Sequence, residues 1–146
     1  MQQKNTLPIW LEENRDMWIE ALRIYLGIAL MLKGIQFIYN KELAQELISE
    51  VGLPFFDYFL MHVVVLVHVA GGFLLMIGLL TRIAALMQIP ILLGAIFFIH
   101  LRQGFFQRSA NLELVIMVLF LLIVFVGYGG GRLSVDYVLK RRRVKI

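Results

Sequence analysis

The stretch Tyr58-FLMHVVVLVHVAGGFLLMIGLLTRIAALMQIPILLGAIFFIH-Leu101 decides the fold. Only Thr81 and Arg82 separate its two apolar segments, Tyr58–Leu80 and Ile83–Leu101. Each half lies within the roughly 17–25 residues that carry a helix across a bilayer. A two-residue break leaves room only for a tight antiparallel hairpin, so the spacing predicts two helices returning on each other. Working outward, Met17–Tyr39 and Leu112–Tyr128 are also apolar enough and long enough to span. The expected fold is all-α, an integral membrane four-helix bundle in one domain over residues 1–146. A basic tail follows at 132–146.

Composition agrees with that reading. Of 146 residues, 60% are hydrophobic and 16% charged, and the mean hydropathy is +0.82. Soluble domains carry about 25% charged residues, and so short a chain has too little interior to hide the apolar surplus. An ordinary soluble enzyme, a disordered tail and a disulfide-stapled scaffold are therefore excluded. There is no cysteine, so thiol cofactor chemistry and thiolate metal sites are not expected. Electrons in any redox role would have to come through a bound cofactor or a partner.

Acidic residues Glu12, Glu13 and Asp16 precede the first stretch, which is too long for a signal core, so it is expected to be a retained span. With four spans, both termini and the Thr81–Arg82 turn share one side. Nine Lys and Arg lie there, against only Lys41, Arg102 and Arg108 opposite, which places both termini in the cytoplasm. The tail Lys140–Lys145 then reads as a topology anchor on anionic headgroups, and no nucleic-acid partner is expected. Between the first two spans, Leu43, Leu47, Ile48 and Val51 recur at helical spacing, with Glu42, Glu46 and Glu50 on another side. That pattern predicts a short amphipathic helix on the outer surface. Pro90 frees the carbonyl of Leu86 and should kink the third span.

Charged groups in lipid cost a few kcal/mol each, so they must be paired, snorkel, or face the bundle interior. Two sets emerge by depth. Toward the cytoplasm lie Glu20, Arg23, Arg82, Gln88, Ser134 and Asp136. Glu20 and Arg23 are three apart and can pair on one helix face, and Asp136 can take Arg23 or Arg82. These four are candidates for structural ion pairs, with an anionic headgroup or a partner as the alternative. Toward the outer face lie Lys33, Gln36, His62, His100, Asn111 and Glu113, with His68 near mid-depth. Asn111 is placed to cap the fourth helix, and Glu113 sits where the helix dipole favours its charge. Either Lys33 and Glu113 merely neutralise each other, or Lys33, Gln36, His68, His100, Asn111 and Glu113 form a ligand site in which histidine relays protons. His62 and His68 do not share a helix face, and no metal site is expected. Gly27 and Gly34 on the first span, with Gly71, Gly72 and Gly78 on the second, mark close helix packing. The run Gly129–Gly131 lacks the strand–turn–helix context of a phosphate-binding loop.

Three blocks together resemble the DoxX family of small four-helix membrane proteins. They are Arg23-x3-Gly27 with Lys33-Gly34; Gly71-Gly72 through Gly78, Thr81-Arg82 and Ala84-Ala85 to His100; and Asn111-Leu-Glu113 with Gly129-Gly130-Gly131-Arg132-Leu133-Ser134-Val135-Asp136. The resemblance implies a bacterial or archaeal inner-membrane protein. In some relatives it implies a tie to quinone-linked oxidation of sulfur compounds. Relatives often carry an acidic residue where this chain has His68. On that basis a membrane subunit of a quinone-linked oxidoreductase is expected, with a quinone or lipid in the outer half of the bundle and a homo-oligomer or redox subunit as partner. The alternative is a non-catalytic scaffold whose buried charges are structural.

Overall fold

The computed structural model describes residues 15–42, 45, 57–100 and 110–143. The surface helix expected over 40–57 falls almost wholly outside them, as do Arg102 and Arg108. The described residues are all-helical. Helix α1 is Arg15–Tyr39. Helix α2 joins Asp57–Leu66, a π-helical segment Val67–Gly71, and Gly72–Ile77. Helix α3 runs through Pro90 as Thr81–Gly94 and widens to a π-helix at Ala95–His100. Helix α4 is Ala110–Tyr128, and the short α5 is Val135–Arg143. Met17–Tyr39 and Tyr58–Ile77 are long and apolar enough to cross a membrane, while Thr81–Phe97 and Leu112–Tyr128 are shorter apolar helices.

The hairpin turn is displaced from its expected place. Thr81 and Arg82 belong to the first turn of α3, and the reversal is made by Gly78, Leu79 and Leu80. Gly78 adopts φ +72°, with its N–H donating to Leu75 O (3.2 Å) and that of Leu79 to Leu74 O (3.0 Å). This double bond to the preceding turn is a Schellman ending, which a left-handed glycine permits. Leu80 also takes a positive φ, 50°, an uncommon conformation for a branched apolar residue. Leu79 and Leu80 read as part of a span because they are apolar, yet they form the turn.

Helix α1 packs along α2, α3 along α4, and α3 also meets α2. Leu26, Leu30, Leu75, Ala84, Ala85, Leu92, Leu122 and Phe125 form the shared core. The α1–α2 contact is main chain on main chain. A Cβ added at Gly27 would lie 2.5 Å from Met76 N, and one at Gly72 would lie 2.6 Å from Met31 N. Only glycine allows this approach, as is usual where membrane helices touch. Conversely, Tyr25, Leu32, Phe73, Leu86, Met117 and Phe120 are exposed. So much bare apolar surface suits lipid, not water.

Gly72→Val should separate α1 from α2 and lower stability by about 3 kcal/mol, the upper range for overpacking. Gly94→Ala adds a Cβ that meets nothing, and should leave thermal unfolding in detergent unchanged or slightly raised.

Candidate functional site

Polar side chains gather at both ends of α1. Near its start, Glu20 and Arg23 are buried to 2% and 1% exposure. The expected Glu20–Arg23 pair is not how they bond. Arg23 Nη1 donates to Leu75 O (3.0 Å) and Nη2 to Leu133 O (3.4 Å), while Leu133 N–H donates to Glu20 Oε1 (2.9 Å). The reason lies in the helix ends that converge here. A helix terminates with carbonyls or amides that lack intrahelical partners, and where these are buried the strongest donors and acceptors in reach are drawn to them. Leu75 O closes α2, and Leu133 belongs to the loop leading to α5. Glu20 and Asp136 still act electrostatically on the guanidinium, so its charge is not isolated. Glu20 Oε2 and Arg23 Nε have no hydrogen-bond partner among the described residues.

Asp136 likewise spends its hydrogen bonds on a helix end. Leu80, at the N-cap position of α3, has no side chain able to cap. Asp136 supplies the cap from across the chain: Oδ1 accepts from Leu80 N–H (2.8 Å), and Oδ2 from Thr81 N–H (3.1 Å) and Thr81 Oγ1 (3.2 Å). In return, Asp136 N–H donates to Gly78 O (3.1 Å). Ser134 caps α5 by accepting from Tyr137 N–H (3.1 Å), and donates its own hydroxyl to Gly131 O (2.6 Å). Arg82 Nη2 donates to Gly127 O near the end of α4 (3.1 Å). Gly131 has φ +69°, and a Cβ there would meet Glu20 Oε1 at 2.7 Å. The glycine run is thus shaped to lie over the buried pair.

The second cluster occupies the other half of α1 and the middle of α2. Lys33 Nζ donates to Gln36 Oε1 (3.2 Å) and stands 5.1 Å from the centre of the Phe37 ring. Phe37 meets His68 edge to face at 5.9 Å. His68 is buried within the π-helical segment of α2, its Nδ1 2.9 Å from Val64 O. A carbonyl can only accept, so Nδ1 carries the proton and Nε2 of the neutral ring is an acceptor. Lys33, Gln36 and His68 are therefore brought together, with Phe37 as the bridge. Phe37 was not among the expected residues, although its place four after Lys33 sets it on the same helix face. Gln88 donates from Nε2 to Val67 O (3.0 Å), at the start of the π-helical segment, and its buried Oε1 has no partner among the described residues.

The remaining expected residues are placed as follows. Glu113 is exposed in the first turn of α4, and Lys33 bonds Gln36 instead of it. His100 ends the π-helical part of α3 and Asn111 lies in the first turn of α4, but their side chains fall outside the described residues. His62 bonds Tyr58 O at 2.7 Å and lies against the Tyr58 ring, which satisfies it locally. Among the described residues, no three His, Asp or Glu side chains are grouped to hold a metal ion. Both π-helical segments carry a histidine from the expected set. Such widened turns occur frequently at functional sites.

Comparison with known proteins covers the first two of the three blocks, and the third, from Asn111 to Asp136, lies beyond the family match. The DoxX family profile matches residues 19–101, which include Glu20, Arg23, Lys33, Gln36, His68, Arg82 and His100. An uncharacterized membrane protein of Mycobacterium tuberculosis is 29% identical over 133 residues, covering 84% of this chain and 81% of the relative. No solved structure matches the chain.

Asp136→Ala should cost about 2 kcal/mol, because hydrogen bonds to a charged group contribute about 1.5–3 kcal/mol and the helix end is left uncapped. Glu113→Gln, at an exposed position, should stay within about 0.5 kcal/mol of the parent. Thermal unfolding of both variants in one detergent checks the contrast.

Proposed function

The chain belongs to the DoxX family, and from that premise we propose that it is a four-span inner-membrane protein with cytoplasmic termini, serving as a membrane subunit of a quinone-linked oxidoreductase. The observation that carries the proposal is the Lys33–Gln36–Phe37–His68 cluster. It combines a cation, an amide, an aromatic ring and a buried imidazole at a widened turn. In the four-span reading the cluster falls in the middle to outer part of the bundle.

The residues fit a quinone head group. Its carbonyl oxygens accept hydrogen bonds, and Lys33 and Gln36 present ammonium and amide N–H donors. Its reduced form donates from hydroxyls, and His68 Nε2 is an acceptor. Phe37 offers a flat apolar contact. A bound quinone supplies the two-electron, two-proton chemistry. Lys33 orients the head, and His68 holds or passes a proton at Nε2. His100 and Glu113 are the proposed continuation of the proton path toward the outer face. Because the sequence has no cysteine, electrons are supplied by a partner redox subunit.

A second reading, a non-catalytic scaffold, draws support from the other cluster, where Glu20, Arg23 and Asp136 are engaged with main chain. It differs from the first in what it requires of Lys33 and His68, which is nothing beyond stability.

The test is titration of the purified full-length protein with a short-chain ubiquinone or menaquinone analogue, beside Lys33→Met and His68→Phe. Loss of one charge-assisted hydrogen bond should weaken binding about tenfold or more in each variant. Equal binding by all three proteins, each unfolding at a similar temperature, would remove the quinone reading and leave the scaffold.

A further inference from the structure

An open cleft of about 690 Å³ lies between the start of α3, the glycine loop and α5, outside the quinone cluster. Arg82, Arg132 and Lys140 line it, together with Tyr128 and Tyr137. Asp136 is the acid among its lining residues, and both of its carboxylate oxygens already accept from Leu80 and Thr81. The cleft therefore presents a surplus of positive charge. Its surroundings are apolar and bare: Leu80, Ile83, Leu133 and Val138 are each half exposed or more. It also sits where the apolar helices α2, α3 and α4 end, beside a short helix that carries Leu139 and then Lys140 to Arg143.

Cations and aromatic hydroxyls above a rim of exposed apolar side chains match an amphiphile with an anionic head. A free phosphate would meet the cations but leave the rim in water. The geometry points to a binding site for the phosphate of an anionic phospholipid. Arg132 and Lys140 face the phosphate, and the acyl chains run down past Leu80 and Ile83. This differs from a basic tail resting loosely on headgroups, because the lipid is held in a cleft with one defined stoichiometry.

Full-length protein in a neutral detergent is titrated with fluorescent phosphatidylglycerol, with phosphatidylcholine and inorganic phosphate as competitors. Saturation at one lipid per chain is expected, with little competition from either. Lys140→Gln and Arg132→Gln should each weaken binding about fivefold, the effect of one basic residue near an anionic lipid surface. Lys140 is exposed, so its variant reads binding without a change of fold. Equal competition by phosphatidylcholine would reduce the site to apolar contact and overturn the proposal. Displacement by inorganic phosphate would assign the cleft to a free anion and overturn it too, as would unchanged affinity in both variants.

Discussion

A guanidinium buried among helix ends organises this molecule. Arg23 reaches from α1 to the Leu75 carbonyl in the last turn of α2 and to the loop before α5, and its neighbour Glu20 takes the amide of that same loop. A carbonyl or amide buried at a helix terminus must find a partner within the protein. Asp136 and Ser134 complete the set by closing α3 and α5. A segment far along the chain is thereby fastened to the α2–α3 turn, and the glycine loop bends to clear Glu20. Burying charges is costly in itself. Here the arrangement fixes where four helix ends meet.

The two polar clusters differ in how their groups are engaged, and on the proposed function that difference separates a structural end from a ligand-binding one. At the Arg23 end, side chains bond main chain belonging to other elements. At the Lys33 end, they bond within their own helix or lie against an aromatic ring: Lys33 to Gln36, His68 to Val64, Phe37 between them. Apart from Gln88, which reaches Val67 O from α3, these bonds stay within one helix, and on the proposed function they leave donors and an acceptor for a bound group.

Much of the fold was legible in the sequence because hydrophobic length is a one-dimensional signal. The spans Met17–Tyr39 and Tyr58–Ile77 follow from it, as do the shorter apolar helices, and Gly27 with Gly72 marked the close crossing. The turn was misplaced by a few residues because Leu79 and Leu80 are apolar. What makes Leu80 a turn residue is Asp136, 56 positions away, and no local pattern reveals that. The i, i+3 spacing of Glu20 and Arg23 suggested a pair, but the demand of nearby helix ends is a tertiary fact. The π-helical turns around His68 and before His100 carry no recognised signal either. Lys33, Gln36 and His68 were grouped as candidates by depth, whereas Phe37, the residue that joins them, lies within an apolar span and carries no polar signal.

The division between a fastened end and a ligand-holding end is most directly tested by native mass spectrometry of protein extracted from membranes with its bound small molecules retained. The account predicts a quinone-mass adduct at one per chain, separable from any phospholipid adduct. Chains that carry phospholipid alone, or nothing, would contradict it.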